Sequence, residues 1–223
     1  MAPPLALDID GTLTTPTDRI DPRAFEVLPE WDAPVVLATG KAFPYPVALA
    51  HYLGLEETVI AENGGVVLVD DEVRLQGDPE RAREAYEAFV DRGGVPGVSR
   101  TDTLNRWRET ELGLSLETAD EALLREVAAS FDLEVVDTGF LYHLKTPGVE
   151  KGDGLRVVAD ALGLDVEAFV AVGDSVNDVS TFEAAGRSFA VANADDAARE
   201  AADVVLEAGY MDGTLAALER VGI

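Results

Sequence analysis

The composition of the chain limits its class and its partners. It has 223 residues, 47% of them hydrophobic, which is enough for one large domain or for a core domain that carries a smaller one. Lysine and arginine number 17 against 43 aspartates and glutamates, giving a formal net charge of −26. Such a surface repels nucleic-acid phosphates and anionic lipid, so we expect no nucleic-acid partner and no membrane partner.

The acidic residues are spread along the chain, and only three basic residues are lysines: Lys41, Lys145 and Lys151. This pattern predicts a halophilic protein, because concentrated salt screens the repulsion between surface charges. Cysteine is absent, which excludes disulfides, thiolate metal ligands and a cysteine nucleophile. No apolar run approaches the ~20 residues of a membrane span and no signal-peptide pattern is present, so we expect a cytoplasmic protein.

Short apolar runs that end in polar residues recur along the chain. They are LALDID (5–10), PVVLATG (34–40), TVIAENG (58–64), FVAVGD (169–174), SFAVAN (188–193) and the shorter DVVLE (203–207). Continuous apolar character is typical of strands buried on both faces. Stretches with helical periodicity lie between them, at 43–54, 152–164 and 178–186. This alternation predicts a parallel sheet covered by helices, with ligands at the carboxyl ends of its strands.

The middle of the chain has a different pattern. Helices are predicted at 78–93 and 119–131, a strand exposed on one face at 111–117, and one longer extended run at 133–146, with a loop at 93–106. Two helices on one side of an antiparallel sheet make a small α+β module. We therefore predict an α/β protein whose core comprises residues 1–77 and 147–223, with a smaller α+β domain, 78–146, inserted.

The sequence DIDGT places two carboxylates, Asp8 and Asp10, at a strand end where both can point to one side. Gly11 then permits a sharp turn. Two close carboxylates suit a nucleophile with a proton donor, or a shared cation. Acids that merely cap a turn are an equal alternative for this motif taken alone.

The sequence GDSVND supplies Asp174 and Asp178, which a spacing of four places on one face of a helix. Clustered oxygen ligands without histidine or cysteine favour Mg²⁺ over zinc. Helix capping by acids is the alternative explanation. Two further candidates are the Thr39–Gly40 turn, whose hydroxyl and N–H groups suit phosphate oxygens, and Lys151, which would neutralise phosphate charge unless it is a solvated surface lysine.

Taken together and in this order, these segments resemble the four motifs of the haloacid-dehalogenase superfamily of phosphatases, and the resemblance covers the whole chain. It implies a Rossmann-like core, Asp8 as nucleophile, and Asp10 as the acid that protonates the leaving group and then activates water. It also implies a Mg²⁺ site formed by the Asp8 carboxylate, the Asp10 carbonyl and Asp174, supported by Asp178. Thr39, Gly40 and Lys151 would hold the phosphoryl group, with Asn177 of the GDSVND motif as a further phosphate-binding candidate.

The position of the predicted insertion, between the second and third motifs, resembles superfamily members with an α/β cap. A cap this small, followed by YHLKTPGVEKGDGL, looks like the archaeal phosphoglycolate phosphatases and their sucrose-phosphatase-like relatives. In that group Asn63, of AENGG, is a candidate substrate contact, although a turn-forming asparagine explains it equally well. His143 and Lys145 share one strand face, which we expect to be solvent-exposed rather than turned to the cleft.

The implied function is hydrolysis of a small phosphorylated metabolite, with 2-phosphoglycolate as the favoured substrate, by a monomer or homodimer. A sugar-phosphate or other small-metabolite phosphatase is the alternative. A dehalogenase is disfavoured because that chemistry needs no proton donor at Asp10, and a phosphomutase because those members carry their cap earlier in the chain. A non-catalytic phosphate sensor and a metal-binding scaffold are the remaining options.

Overall fold

The computed structural model describes residues 2–222, in which two β-sheets organise the chain. The strands are β1 Leu5–Asp8, β2 Val35–Ala38, β3 Val59–Ala61, β4 Val66–Val69, β5 Glu72–Leu75, β6 Leu112–Ser115, β7 Glu134–Asp137, β8 Leu141–Lys145, β9 Val170–Gly173, β10 Arg187–Ala190 and β11 Val204–Val205. The helices are α1 Ala24–Val27, α2 Pro44–Leu53, α3 Pro79–Asp91, α4 Glu121–Ser130, α5 Lys151–Leu162, α6 Val179–Ala184, α7 Asp196–Ala201 and α8 Tyr210–Val221. None of these helices is long and apolar enough to cross a bilayer.

The larger sheet has the strand order β11-β10-β9-β1-β2-β3-β4-β5. Its first six strands are parallel and correspond to the six apolar runs of the sequence, so the predicted α/β class is confirmed. The antiparallel strands β4 and β5 were not predicted. They form a hairpin that returns directly from β3 without a helical crossover, which is the connection that antiparallel pairing allows.

Alternate residues of the central strands enter two different hydrophobic clusters, one on each face of the sheet. Leu5 and Leu7 of β1 lie in one cluster, with residues of α2 and α8. Ala6 lies in the other, with residues of α5 and α6. A fully buried aliphatic side chain contributes about 1.5–3 kcal/mol, so both faces of β1 stabilise its central place in the sheet.

The parallel arrangement brings the ends of β1, β2 and β9 to one edge. Asp8 closes β1, Thr39 follows β2, and Asp174 follows β9. The chain then turns away at Gly11, whose φ of +82° favours glycine, and a Cβ atom there would lie 2.0 Å from Asp174 Oδ2. The glycine of DIDGT therefore serves both the turn and the approach of Asp174.

The smaller sheet is antiparallel, with the order β6-β8-β7, and α3 and α4 share a separate hydrophobic cluster with it. The predicted extended run 133–146 is in fact a hairpin, because Gly139, with a φ of +75°, turns the chain between β7 and β8. The prediction that 111–117 has an exposed face is also wrong, since Leu112, Gly113 and Leu114 are all buried. The chain enters and leaves this part of the structure at neighbouring points, since the Asp78 N–H donates to Thr146 Oγ1 at 3.0 Å.

Candidate active site

Lys151, the first residue of α5, is the centre of the polar cluster at the carboxyl edge of the larger sheet. Its ammonium donates to Asp8 Oδ1 at 2.8 Å, to Asp178 Oδ1 at 2.7 Å and to Asn177 Oδ1 at 3.0 Å. The Lys151 side chain is 0% exposed. The alternative of a solvated surface lysine is therefore wrong, and residues of two distant motifs converge on the ammonium group of a third.

The carboxylates of Asp8, Asp174 and Asp178 each place an oxygen within 4.8 Å of the others. Asp8 Oδ2 is buried and has no hydrogen-bond partner among residues 2–222. Three carboxylates and one ammonium leave a formal charge of −2, which a divalent cation balances. The donor set consists of hard oxygen atoms, so these residues fit a divalent metal ion of the Mg²⁺ type.

Asp178 is the most constrained of the three acids. Its Oδ2 accepts the backbone N–H groups of Asp174 at 3.0 Å and Ser175 at 3.1 Å, while its Oδ1 accepts Lys151. Since both oxygens already accept hydrogen bonds, Asp178 orients the loop and the lysine. Asp8 Oδ2 and the carboxylate of Asp174 remain available to bind a cation.

The crowding of these acids perturbs their titration. Burial raises the pKa of Asp8 well above its usual value, and Lys151 offsets only part of this effect. Burial, followed by the charge of Asp178, raises the pKa of Asp174 to about 7. Burial works against the charge of Lys151, but Asp178 and Asp8 more than reverse this and raise its pKa. The site thus combines a fixed cation with acids that a metal ion would stabilise in their charged form.

Asp10 lies apart from this cluster, and its carboxylate faces the opening. Its side chain is 49% exposed, and Oδ2 accepts from Lys41 Nζ at 2.7 Å. Sequence reasoning missed Lys41, although it is one of only three lysines and directly follows the Thr39–Gly40 turn. The Asp10 carbonyl as a metal ligand stays a prediction.

Thr39 and Gly40 line the same cavity as Asp8 and Asp10. Thr39 is buried and its Oγ1 accepts the backbone N–H of Lys41 at 3.1 Å. A Cβ atom at Gly40 would lie 2.8 Å from Asn63 Oδ1, so glycine allows Asn63 to approach the turn. Both predicted phosphate-binding residues therefore border the space in front of Asp8.

Asn63 connects the two sheets by side-chain hydrogen bonds. Its Oδ1 accepts from Asn177 Nδ2 at 3.1 Å, and its Nδ2 donates to Glu111 Oε2 at 3.2 Å. Asn63 and the preceding Glu62 both have left-handed backbones, with φ values of 53° and 52°. Asparagine tolerates this conformation, but for Glu62 it is strained and persists only where the surroundings hold it in place.

Glu62 holds its neighbours with a carboxylate buried at the junction of the two sheets. It accepts the backbone N–H of Glu109 at 2.9 Å and both the N–H and the hydroxyl of Thr110, at 2.8 and 2.9 Å. Burial, then the charge of Glu111, raises the pKa of Glu62. Glu62 and Asn63 thus clamp the segment 109–111 against the larger sheet.

The expectation that His143 and Lys145 face solvent is wrong, since they are only 5% and 7% exposed. His143 Nδ1 lies 2.9 Å from Glu111 Oε1. Lys145 Nζ donates to the Val149 carbonyl and lies 3.8 Å from Glu134. Alternation along β8 correctly placed both on one face, but that face lies against other parts of the protein.

Arg108 and Glu111 are functional candidates that sequence reasoning missed. Arg108 donates from Nη1 to Glu111 and from Nε to the Leu104 carbonyl at 2.9 Å. Burial would raise the pKa of Glu111, but His143 and Arg108 more than reverse this and lower it to about 2. Glu111 therefore stays ionised. The only available signal was its position three residues after an arginine at the start of a strand, which is too common to single it out.

A cavity of about 700 Å³, which Asp8 helps to line, lies between the two sheets. Its polar lining comprises Asp8, Asp10, Asp18, Thr39, Lys41, Asn63, Arg108, Thr138, His143, Asp174, Ser175, Asn177, Asn193 and Tyr210. An adjoining cavity of about 660 Å³ is lined by Lys145, Lys151 and Asn177. Lys41 lines the cavity that contains Asp8, whereas the other two lysines line the adjoining one.

The fold and the site together define a Rossmann-like α/β hydrolase, with acids and a lysine gathered at the carboxyl edge of its parallel sheet. The chain belongs to the haloacid dehalogenase-like hydrolase family, whose family model matches residues 5–92 and 116–218. This confirms the family to which the sequence motifs pointed. Phosphatases of this superfamily use a divalent metal ion, and the acidic cluster suits one.

Individual relatives cover almost the whole chain. A phosphoglycolate phosphatase of Halorubrum lacusprofundi is 68% identical over 220 residues, 98% of this chain and 96% of that protein. The protein of the same name from Methanothermobacter thermautotrophicus is 38% identical and covers 97% of both chains. The crystal structure of Thermoplasma acidophilum protein 0175 aligns with a TM-score of 0.84 at 26% identity, over 99% of this chain and 98% of that one.

Proposed function

We propose that this protein is a Mg²⁺-dependent phosphatase that hydrolyses 2-phosphoglycolate to glycolate and phosphate through an aspartyl-phosphate on Asp8. The observation that carries the proposal is the environment of the Asp8 carboxylate. Lys151 holds one of its oxygens at 2.8 Å, while the other is buried without a partner among residues 2–222. The substrate follows from relatives of up to 68% identity that carry the name phosphoglycolate phosphatase.

In the first step, an Asp8 oxygen attacks phosphorus in line with the leaving glycolate oxygen. The new bond joins Asp8 to phosphorus, the bond to glycolate breaks, and Asp10 gives its proton to the departing alkoxide. In the second step, Asp10 takes a proton from water as the water attacks phosphorus. The bond to Asp8 breaks, and phosphate and the free Asp8 carboxylate are released.

The other residues hold the phosphoryl group and balance its charge. Lys151 and the Thr39–Gly40 turn would hold the phosphoryl oxygens. A Mg²⁺ ion held by Asp8 and Asp174, with Asp178 fixing the loop, would neutralise the charge that develops on those oxygens. Asp10 must leave Lys41 to reach the substrate, and its half-exposed side chain leaves it free to turn.

The partners follow from the same proposal. A small phosphorylated metabolite fits the cavity of about 700 Å³, where Lys41 and Arg108 supply positive charge. The net charge of −26 disfavours nucleic acid and anionic membranes as partners. We propose that it acts as a monomer or homodimer.

The test is phosphate release with and without Mg²⁺ for the wild type and for Asp8→Asn. The panel of substrates contains 2-phosphoglycolate, sugar phosphates, glycerol phosphates and nucleotides. We expect Mg²⁺-dependent release, fastest with 2-phosphoglycolate, and its loss in Asp8→Asn with the fold retained.

The matched control is Asp70→Asn, the same change at an exposed turn whose left-handed φ of 53° asparagine tolerates. Near-normal turnover in Asp8→Asn would reject the nucleophile. Preference for a sugar phosphate would reassign the substrate, and binding without release would indicate a sensor.

A further inference from the structure

We propose that Arg108 and His143 form the subsite that recognises the carboxylate of the substrate, an assignment that rests on the proposed function. Both side chains come from the part of the chain that carries the smaller sheet, and both line the cavity that contains Asp8. Their donors are fixed in advance by one buried acid, Glu111. The subsite would select a phosphate ester with a carboxylate over one of similar size without it.

Arg108 is anchored so that one edge of its guanidinium remains available. Its side chain is 5% exposed, with Nε bonded to the Leu104 carbonyl and Nη1 to Glu111. Nη2 has no hydrogen-bond partner among residues 2–222 and is not among the fully buried polar atoms. An anchored guanidinium loses little conformational entropy when it binds a carboxylate.

His143 is held in the same way, by the same acid. Its Nδ1 lies 2.9 Å from Glu111 Oε1. Its Nε2 has no protein partner within the described chain and is not fully buried, so it is accessible from the cavity that the residue lines. The charges of Arg108 and Glu111 cancel. Because Nδ1 of His143 donates to the ionised Glu111, Nε2 can donate to a substrate carboxylate only in the imidazolium form, and that form would add the positive charge that the carboxylate balances.

The rest of the cavity offers few other places for a carboxylate. The phosphoryl group takes the Asp8 end with Thr39 and Lys151. Lys41 is paired with Asp10 at 2.7 Å until Asp10 turns to the substrate, so the experiment also includes a Lys41 variant. The apolar lining consists of Ala42, Tyr45, Leu104, Phe140 and Leu141. A small acid held at phosphorus by Asp8 therefore extends toward Arg108 and His143.

The experiment compares kcat/KM for 2-phosphoglycolate with that for 2-hydroxyethyl phosphate, which lacks the carboxylate. In Arg108→Met we expect kcat/KM for 2-phosphoglycolate to fall about 10- to 100-fold, mostly through KM, as the loss of a charge-assisted hydrogen bond implies. Activity on 2-hydroxyethyl phosphate should change less than about threefold, because its neutral hydroxyl offers Arg108 no carboxylate for an ion pair. Arg108→Lys, which retains the charge but not the planar fork, should recover part of the selectivity.

Controls separate recognition from folding. Arg125→Met removes an arginine of α4 from an exposed pair with Glu121 and should leave both activities unchanged. The double variant Arg108→Met with Glu111→Gln removes both buried charges together, so it avoids an unpaired buried glutamate and should show the same loss of selectivity.

Equal losses on both esters, or no loss, would overturn the subsite. A selective loss in Lys41→Met with none in Arg108→Met would also overturn it, since it would assign the carboxylate to Lys41. The proposed function fails separately, in the wild type. A folded wild type that releases no phosphate from 2-phosphoglycolate with Mg²⁺ would reject the function and the subsite together.

Discussion

Replacement of Lys151 by methionine should have opposite effects on metal binding and on catalysis. Lys151 Nζ lies 2.8 Å from Asp8 and 2.7 Å from Asp178, with a fully buried side chain. Removal of one partner from a buried ion pair costs about 3–5 kcal/mol, because the remaining charge is left without compensation. We expect the metal-free variant to lose stability of that order.

The effect of this substitution on the affinity for a divalent cation is favourable. Without Lys151, the formal charge of the cluster of three carboxylates and one ammonium changes from −2 to −3. Two unit charges about 4 Å apart interact by about 4 kcal/mol at an effective dielectric constant of 20. Loss of even a fraction of the repulsion between the Lys151 ammonium and the metal ion is enough for tenfold tighter binding. We therefore expect Lys151→Met to bind Mg²⁺ at least about tenfold more tightly while turnover is lost.

The assay is calorimetric titration of Mg²⁺ into chelator-treated protein in concentrated KCl, with thermal unfolding at each Mg²⁺ concentration. Lys145→Met is the matched control, since it removes another buried lysine, one that contacts Val149 and Glu134. Its Mg²⁺ affinity should equal that of the wild type. Weaker Mg²⁺ binding in Lys151→Met, or retained phosphatase activity, would refute the assigned role of the lysine.

Three further predictions concern pH, the Asp8–Gly11 turn and salt. The pKa of Glu111 is lowered from 4.5 to about 2 in the fold, so its contribution to stability is present above pH 4.5 and is lost as pH falls toward 2. The difference in unfolding free energy between wild type and Glu111→Gln should shrink by up to about 3 kcal/mol over that range, and a constant difference would contradict the assignment. Gly11→Ala should weaken Mg²⁺ binding, because the added Cβ would displace Asp174. The control Gly54→Ala, at a φ of +75° with no atom within 4 Å of the added Cβ, should lower stability alone. Equal Mg²⁺ affinities in the two variants would reject this explanation. With a net charge of −26, the melting temperature should fall as KCl is lowered from molar to dilute, and an unchanged value would refute adaptation to salt.

The sequence was sufficient to predict the buried half of the site. Asp8, Thr39 and Asp174 each follow an apolar run, and parallel strands bring the ends of such runs to one edge. Lys151 was predicted from its scarcity and its place at a helix start. Local pattern and sheet geometry made these residues candidates, and the resemblance of the combined motifs to the superfamily favoured an active site over capping acids and a surface lysine.

The opposite wall of the cavity could not be predicted in the same way. Alternation placed His143 and Lys145 on one face of β8, but only the docking of the smaller sheet determines that this face is buried. Glu111 gains its role from Asn63, 48 residues away in the chain, and from Arg108 on a loop. Such contacts depend on the relative placement of two separately packed units, which periodicity does not encode.

The covalent intermediate on Asp8 is the central claim, and chemical trapping tests it most directly. The wild type is mixed with Mg²⁺ and 2-phosphoglycolate, quenched within a turnover and treated with borohydride, which reduces an acyl phosphate to an alcohol. Peptide mass spectrometry should then find the reduced side chain at position 8, and only when both substrate and Mg²⁺ are present. Rapid phosphate release with position 8 unmodified, or with the modification on another acid, would contradict the mechanism.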